Sequence, residues 1–62
     1  MTFGEQLKAE RKRIGLTQPE TAAVLDLKDR TYWEYESGAS EPPAIAQEGA
    51  LARLRKLKPK AK

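Results

Sequence analysis

A chain of 62 residues with no cysteine, no histidine and a formal charge of +3 is one small domain, near the lower size limit for folding without metal or disulfide support. Those two absences remove thiolate metal sites, disulfides and the usual general base, and so short a chain has little material for a deep pocket, so neither an enzyme nor a cofactor is expected. No apolar run approaches the roughly 20 residues of a membrane span and the first residues lack a signal-peptide h-region, so no membrane is expected and the cytoplasm is the expected location.

Thr2 and Glu5 open the first element with the S/T-x-x-E spacing of a capping box, in which each side chain satisfies a free backbone N–H of the first turn. Phe3, Leu7 and Ile14 recur at roughly helical spacing, and Gly15 suits the left-handed residue that ends a helix. The first helix is expected over residues 3–14. Thr17 and Glu20 repeat the capping box, and Pro19 is tolerated in a first turn whose N–H groups have no intrahelical acceptor. A second, short helix is expected over 18–25, with Thr21, Ala22 and Leu25 on its inner face and Val24 beside them.

Asp26-Leu27-Lys28 makes a tight connection to a third helix expected over 29–36, where Tyr32 and Tyr35 share the inner side at i and i+3. Gly38 ends it, and Ser40-Glu41-Pro42-Pro43 form a stiff loop whose last proline suits a first helical turn. The run AIAQEGALARLRKLK, residues 44–58, is the fourth helix. Ala46, Ala50, Leu54 and Leu57 form its apolar stripe, with Ile45 and Leu51 at the margins. Gly49 costs about 1 kcal/mol against Ala inside a helix, so a close approach to another backbone is expected there. Residues 1–58 are expected to be the domain and residues 59–62 a basic, disordered tail. No strand-like alternation occurs, and the expected class is all-α.

Two short helices joined by a three-residue turn make a helix-turn-helix pattern. Leu16-Thr17-Gln18 opening the second helix, Ala22 within it, Leu27 in the turn, Thr31-Tyr32 in the third helix and the ending YESG…P carry a resemblance to the Cro/lambda-repressor (XRE) family over residues 3–43. The ending is similar to the family's W-E-x-G-x-x-x-P, with Tyr35 at the Trp position. The chain departs from the family at Asp26, where Gly is common, in the loop ASEPP, where bases are common, and in stopping soon after its fourth helix. The resemblance implies a compact four-helix bundle, or a shortened five-helix one. It also implies double-stranded DNA as partner, a homodimer at least on DNA, and no small-molecule ligand.

Carried onto this sequence, the family's recognition helix places Lys28, Asp29, Arg30, Thr31, Trp33 and Glu34 at base-reading positions. Arg30 is either a bidentate guanine reader or the i,i+4 partner of Glu34 on a solvated face. Asp29 and Glu34 either accept from cytosine, penalise mismatched sites, or sit on a solvated acidic face. Trp33 has three destinations open to it: DNA, a partner protein, or its own domain. Thr17, Gln18 and Lys28 are the phosphate candidates, and Leu51, Leu54 and Leu57 the candidate dimer contact. Glu36 reads as structural, bonding backbone or a base of the first helix.

Charge distribution sets the terms of any DNA reading. Residues 1–16 carry four bases and two acids, residues 17–48 two bases and seven acids, and residues 49–62 six bases and no acid, giving +2, −5 and +6. Attraction to a polyanion must then come from the ends. The function implied is a Cro-like repressor reading a pseudo-palindromic operator in the major groove. The alternative is the same fold used as a protein-interaction module, an antitoxin or an inhibitor of another regulator.

Overall fold

The computed structural model describes residues 2–59. It contains four helices, α1 (Phe3–Ile14), α2 (Gln18–Val24), α3 (Asp29–Ser37) and α4 (Ala44–Arg55), and no strand among the described residues. None of these helices is long and apolar enough to cross a membrane. Both capping boxes form as their spacing implies: Thr2 and Glu5 exchange side chain-to-backbone bonds of 2.9 and 3.1 Å, and Thr17 and Glu20 do so at 2.9 and 3.2 Å. Gly15 and Gly38 end α1 and α3 in the left-handed region at φ 89° and 86°.

The core consists of Phe3, Leu7, Ile14, Ala22, Tyr32, Leu51 and Leu54. Leu7 and Leu54 are fully buried, each worth about 1.5–3 kcal/mol in apolar surface removed from water. Helix α1 runs between α3 and α4, while α2 packs across α3. The Phe3 and Tyr35 rings meet at 6.2 Å, tilted by 60°, a favourable aromatic geometry.

Helix α4 differs from its sequence expectation in two ways. It stops at Arg55, not at residue 58. Leu57 N–H turns back to the Leu54 carbonyl, and Arg13 Nη2 donates to the carbonyls of Leu54 (3.2 Å) and Leu57 (3.3 Å), so the end of the helix finds partners outside it. Its buried stripe is also rotated: Leu51 is core and Ala46 is exposed, because α4 packs on α1 and leaves the Ala46 flank open. As a result Leu51 and Leu54 close the monomer's own core, with Leu57 half-buried against it. The three leucines expected at a dimer contact are therefore not a free surface. The remainder of the expected basic tail, residues 60–62, lies outside the described residues.

The glycine that permits close approach is Gly4, not Gly49. A Cβ on Gly4 would lie 2.5 Å from the Glu36 carbonyl oxygen and 2.7 Å from that of Tyr35, so the first turn of α1 rests directly on the backbone at the end of α3. A Cβ on Gly49 meets nothing within 4 Å. Alanine should therefore act oppositely at the two sites. Gly4→Ala should lower stability, since overpacking against backbone costs about 1–3 kcal/mol. Gly49→Ala should raise it by up to about 1 kcal/mol through helix propensity. Each kcal/mol moves the melting temperature of a domain this small by about 4–8 °C, so thermal denaturation in dilute solution reads both signs. Equal shifts in the same direction would rule out the packing described here.

Candidate nucleic-acid interface

The α2–turn–α3 unit is held by local chemistry at every joint. Asp26 takes φ 59°, the left-handed geometry usually left to glycine. The Leu27 N–H then reaches back to the Ala22 carbonyl at 2.8 Å and the Asp26 N–H to that of Ala23 at 3.1 Å. The turn thus survives the replacement of Gly by Asp. Ala22 is fully buried, and the buried Thr21 hydroxyl donates to the Thr17 carbonyl at 2.9 Å.

Beneath this unit lies a polar hub centred on Glu36. Its carboxylate accepts from Tyr32 Oη at 2.6 Å, from Arg11 Nε and Nη2 at 2.9 and 3.2 Å, and from Gln18 Nε2 at 2.9 Å. Arg11 Nη1 also donates to the Leu16 carbonyl at 3.2 Å. One carboxylate thereby ties α1, the start of α2 and α3 together. Burial alone would push its pKa up, but the bonds from Arg11, Tyr32 and Gln18 outweigh that and hold it below the ordinary carboxylate value. The same contacts raise Arg11, through its bond to Glu36 first. Tyr32 is pushed far above its usual value by burial and then by the neighbouring carboxylate.

With Tyr32 anchored inward, α3 turns Asp29, Arg30, Trp33 and Ser37 to solvent. Trp33 is 52% exposed. The Arg30 side chain is 88% exposed, and its ion pair with Glu34 is long, at 3.4 Å, worth no more than about 0.5 kcal/mol at such a site. Lys28 is exposed at the N-cap position of α3 and makes no capping bond. Thr31 and Glu34 are half-buried at the flanks of this face.

A family model described as a helix-turn-helix domain matches residues 2–59. The chain belongs to the helix-turn-helix domain family. The match spans nearly the whole sequence and is consistent with the XRE-like pattern read from its motifs. No curated protein and no solved structure matches the chain.

Within this helix-turn-helix domain the candidate residues separate by what already holds them. Thr17 is engaged through both its hydroxyl and its N–H in the capping box, and the Gln18 amide turns inward to Glu36. Pro19 has no N–H and that of Glu20 is capped, so the Gln18 backbone N–H is the donor left at the start of α2. Ser37 joins the outward face although no base-reading position was assigned to it; its spacing of four from Trp33 and seven from Arg30 was the available signal. The inward turn of Gln18 left no trace in the sequence, because its acceptor lies eighteen positions away.

Proposed function

We propose that this helix-turn-helix domain is a sequence-specific DNA-binding transcriptional regulator, a Cro-like repressor. In this reading it lays α3 in the major groove of a pseudo-palindromic operator as a homodimer and acts by occluding RNA polymerase. The observation that carries the proposal is the exposed face of α3, where an almost fully solvated Arg30 stands between Asp29 and Trp33 on a helix locked from behind by Glu36.

Each candidate residue takes a role in that proposal. Arg30 pairs with guanine O6 and N7, while Asp29 and Glu34 accept from cytosine N4 or orient Arg30. Trp33 covers a thymine methyl or a sugar, with Thr31 at the edge of the contact. Lys28 meets the flanking phosphate, joined by the Gln18 N–H beside Thr17. Selection of binding sites from random duplexes by the purified protein, followed by salt-titrated fluorescence anisotropy, tests the reading. The expected product is a two-fold site with half-sites about one helical turn apart and an affinity that falls with salt. Absent or salt-insensitive binding by folded protein refutes it.

A protein-interaction role is the second reading, favoured by the half-exposed Trp33 within a segment of charge −5. Under it Trp33→Ala disrupts a partner complex and Arg30→Ala does not.

A further inference from the structure

The C-terminal end of α4 is the positive pole of the molecule. Arg53, Arg55, Lys56 and Lys58 are exposed there, and Arg13 joins them from the last turn of α1 through its bonds to the Leu54 and Leu57 carbonyls. Among the described residues the acid paired with this group is Glu10, at 2.8 Å from Arg13 and 3.8 Å from Arg55. These six residues carry a net +4, whereas the other described residues hold five bases against eight acids, a net −3.

Helix ends account for only part of that charge. Bases near a helix C-terminus stabilise its carbonyls. Arg13 does so for α4, and Arg53 Nη1 does so for α2 by donating to the Val24 carbonyl at 3.3 Å. Those bonds hold both guanidiniums in place yet use only some of their five N–H donors. Arg55 adds a long pair on a side chain that is 58% exposed, and the Lys56 and Lys58 side chains make no bond among the described residues. Folding does not call for these last three, since clustered like charges repel one another. The outward face of α3 brings no net attraction of its own, because Asp29 and Glu34 balance Lys28 and Arg30.

We infer that this end of the molecule is a second phosphate-binding surface, which holds the backbone of duplex DNA outside the bases that α3 reads. The surface continues from the interface already described. Five residues of chain, at most about 18 Å, separate Arg13 from the Gln18 N–H at the start of α2, the length of about five nucleotides of one strand. Its makeup favours a duplex over other polyanions. A membrane surface calls for apolar side chains beside the charges, yet the exposed Ile45 lies ten residues before Arg55, about 15 Å back along α4. Single-stranded RNA is held by stacking on aromatic rings, and this end carries none. The inference rests on DNA being the partner and deepens that reading by dividing the roles: attraction from the end of α4, discrimination from α3.

Two variants that remove the same charge from the 62-residue chain test it: Lys56→Gln combined with Lys58→Gln, and Lys8→Glu on the exposed side of α1. Fluorescence anisotropy on a random-sequence duplex of about 20 base pairs, from about 50 to 200 mM salt, reads affinity and salt slope. The double variant should bind at least about tenfold more weakly at about 100 mM salt, with a slope shallower by about two. Its ratio of operator to random binding should stay at the wild-type value. Lys8→Glu should keep the wild-type slope, and thermal melts should show both variants folded. An unchanged slope in the double variant, equal losses in both variants, or tighter binding to anionic phospholipid vesicles or poly(U) than to the duplex would each overturn the inference. A selected site whose slope ignores Lys56 and Lys58 sinks this inference alone. Duplex binding that shows the expected slope change but no sequence preference upholds it and sinks the operator reading instead.

Discussion

Glu36→Ala is expected to remove about 3 kcal/mol or more of folding free energy, the cost of breaking a buried ion pair and leaving its partner uncompensated. The Glu36 and Arg11 side chains are only 7% and 16% exposed, so solvent screens the loss little. Three further donors lose their acceptor with it: Tyr32 Oη, Gln18 Nε2 and the second Arg11 nitrogen. A domain of this length holds roughly 3–9 kcal/mol in total, so the variant should be largely unfolded or close to it at room temperature. Urea denaturation followed by circular dichroism reads this directly.

The same residue predicts an acid limb. Its pKa in the folded chain lies below its ordinary value of 4.5, so the unfolded chain takes up the proton first as pH falls. The contribution of Glu36 is therefore complete above about pH 5 and is lost as pH drops from 4.5 through the folded value. Glu36→Gln keeps the shape and removes the charge. It should be markedly less stable than wild type at pH 7, and the gap should narrow at pH 3–4. A gap that stays constant between those conditions would falsify the placement of Glu36 as an ionised hub.

Arg30→Ala should do the reverse, leaving stability untouched and removing recognition. Its pair with Glu34 is exposed and long, so the melting temperature should change by no more than about 2–4 °C. If Arg30 reads guanine bidentately, its loss costs about 1–3 kcal/mol of discrimination, which is about 5- to 150-fold in operator affinity. The preference for G at that base pair should relax at the same time. Lys28→Ala, by contrast, should weaken all sequences about equally and reduce the salt slope by about one. The acids give the sharper result. Asp29→Asn with Glu34→Gln should raise affinity for random DNA while lowering the ratio of operator to random binding, because those carboxylates repel every site that offers them no donor. Intact operator affinity in Arg30→Ala would move the recognition face elsewhere.

Much of the local architecture was legible because its causes are local. Thr2 with Glu5, Thr17 with Glu20, Gly15, Gly38 and the Pro42-Pro43 pair are signals within one turn of the chain, and the helices begin and end within a residue or two of them. Helix α4 is the exception at its C-terminal end: it stops at Arg55, and the carbonyls of Leu54 and Leu57 accept from Arg13, more than forty positions away. The helix-turn-helix was legible for the same reason, since its spacing is local; of the positions mapped from the family, Lys28, Asp29, Arg30 and Trp33 are exposed, whereas Thr31 and Glu34 are half-buried and the exposed Ser37 was missed.

Other outcomes depended on residues distant in sequence. Gly4 and Gly49 look alike as helical glycines, yet only the docking of α1 on the end of α3 makes one indispensable and leaves the other open. Gln18 reads equally well as a phosphate donor or a hub member until α3 brings Glu36 to it. Leu51 and Leu54 could face a partner or the core until α4 is seen to lie on α1. Sequence by itself determined where α1, α2 and α3 begin and end, where α4 begins and where the chain turns, because those follow from backbone sterics, caps and periodicity. Only the tertiary structure decided which glycine bears backbone contact, which carboxylate locks α3 and which leucines of α4 close the core. Each of these depends on how helices dock, and docking is a balance of contacts between residues that no local pattern relates.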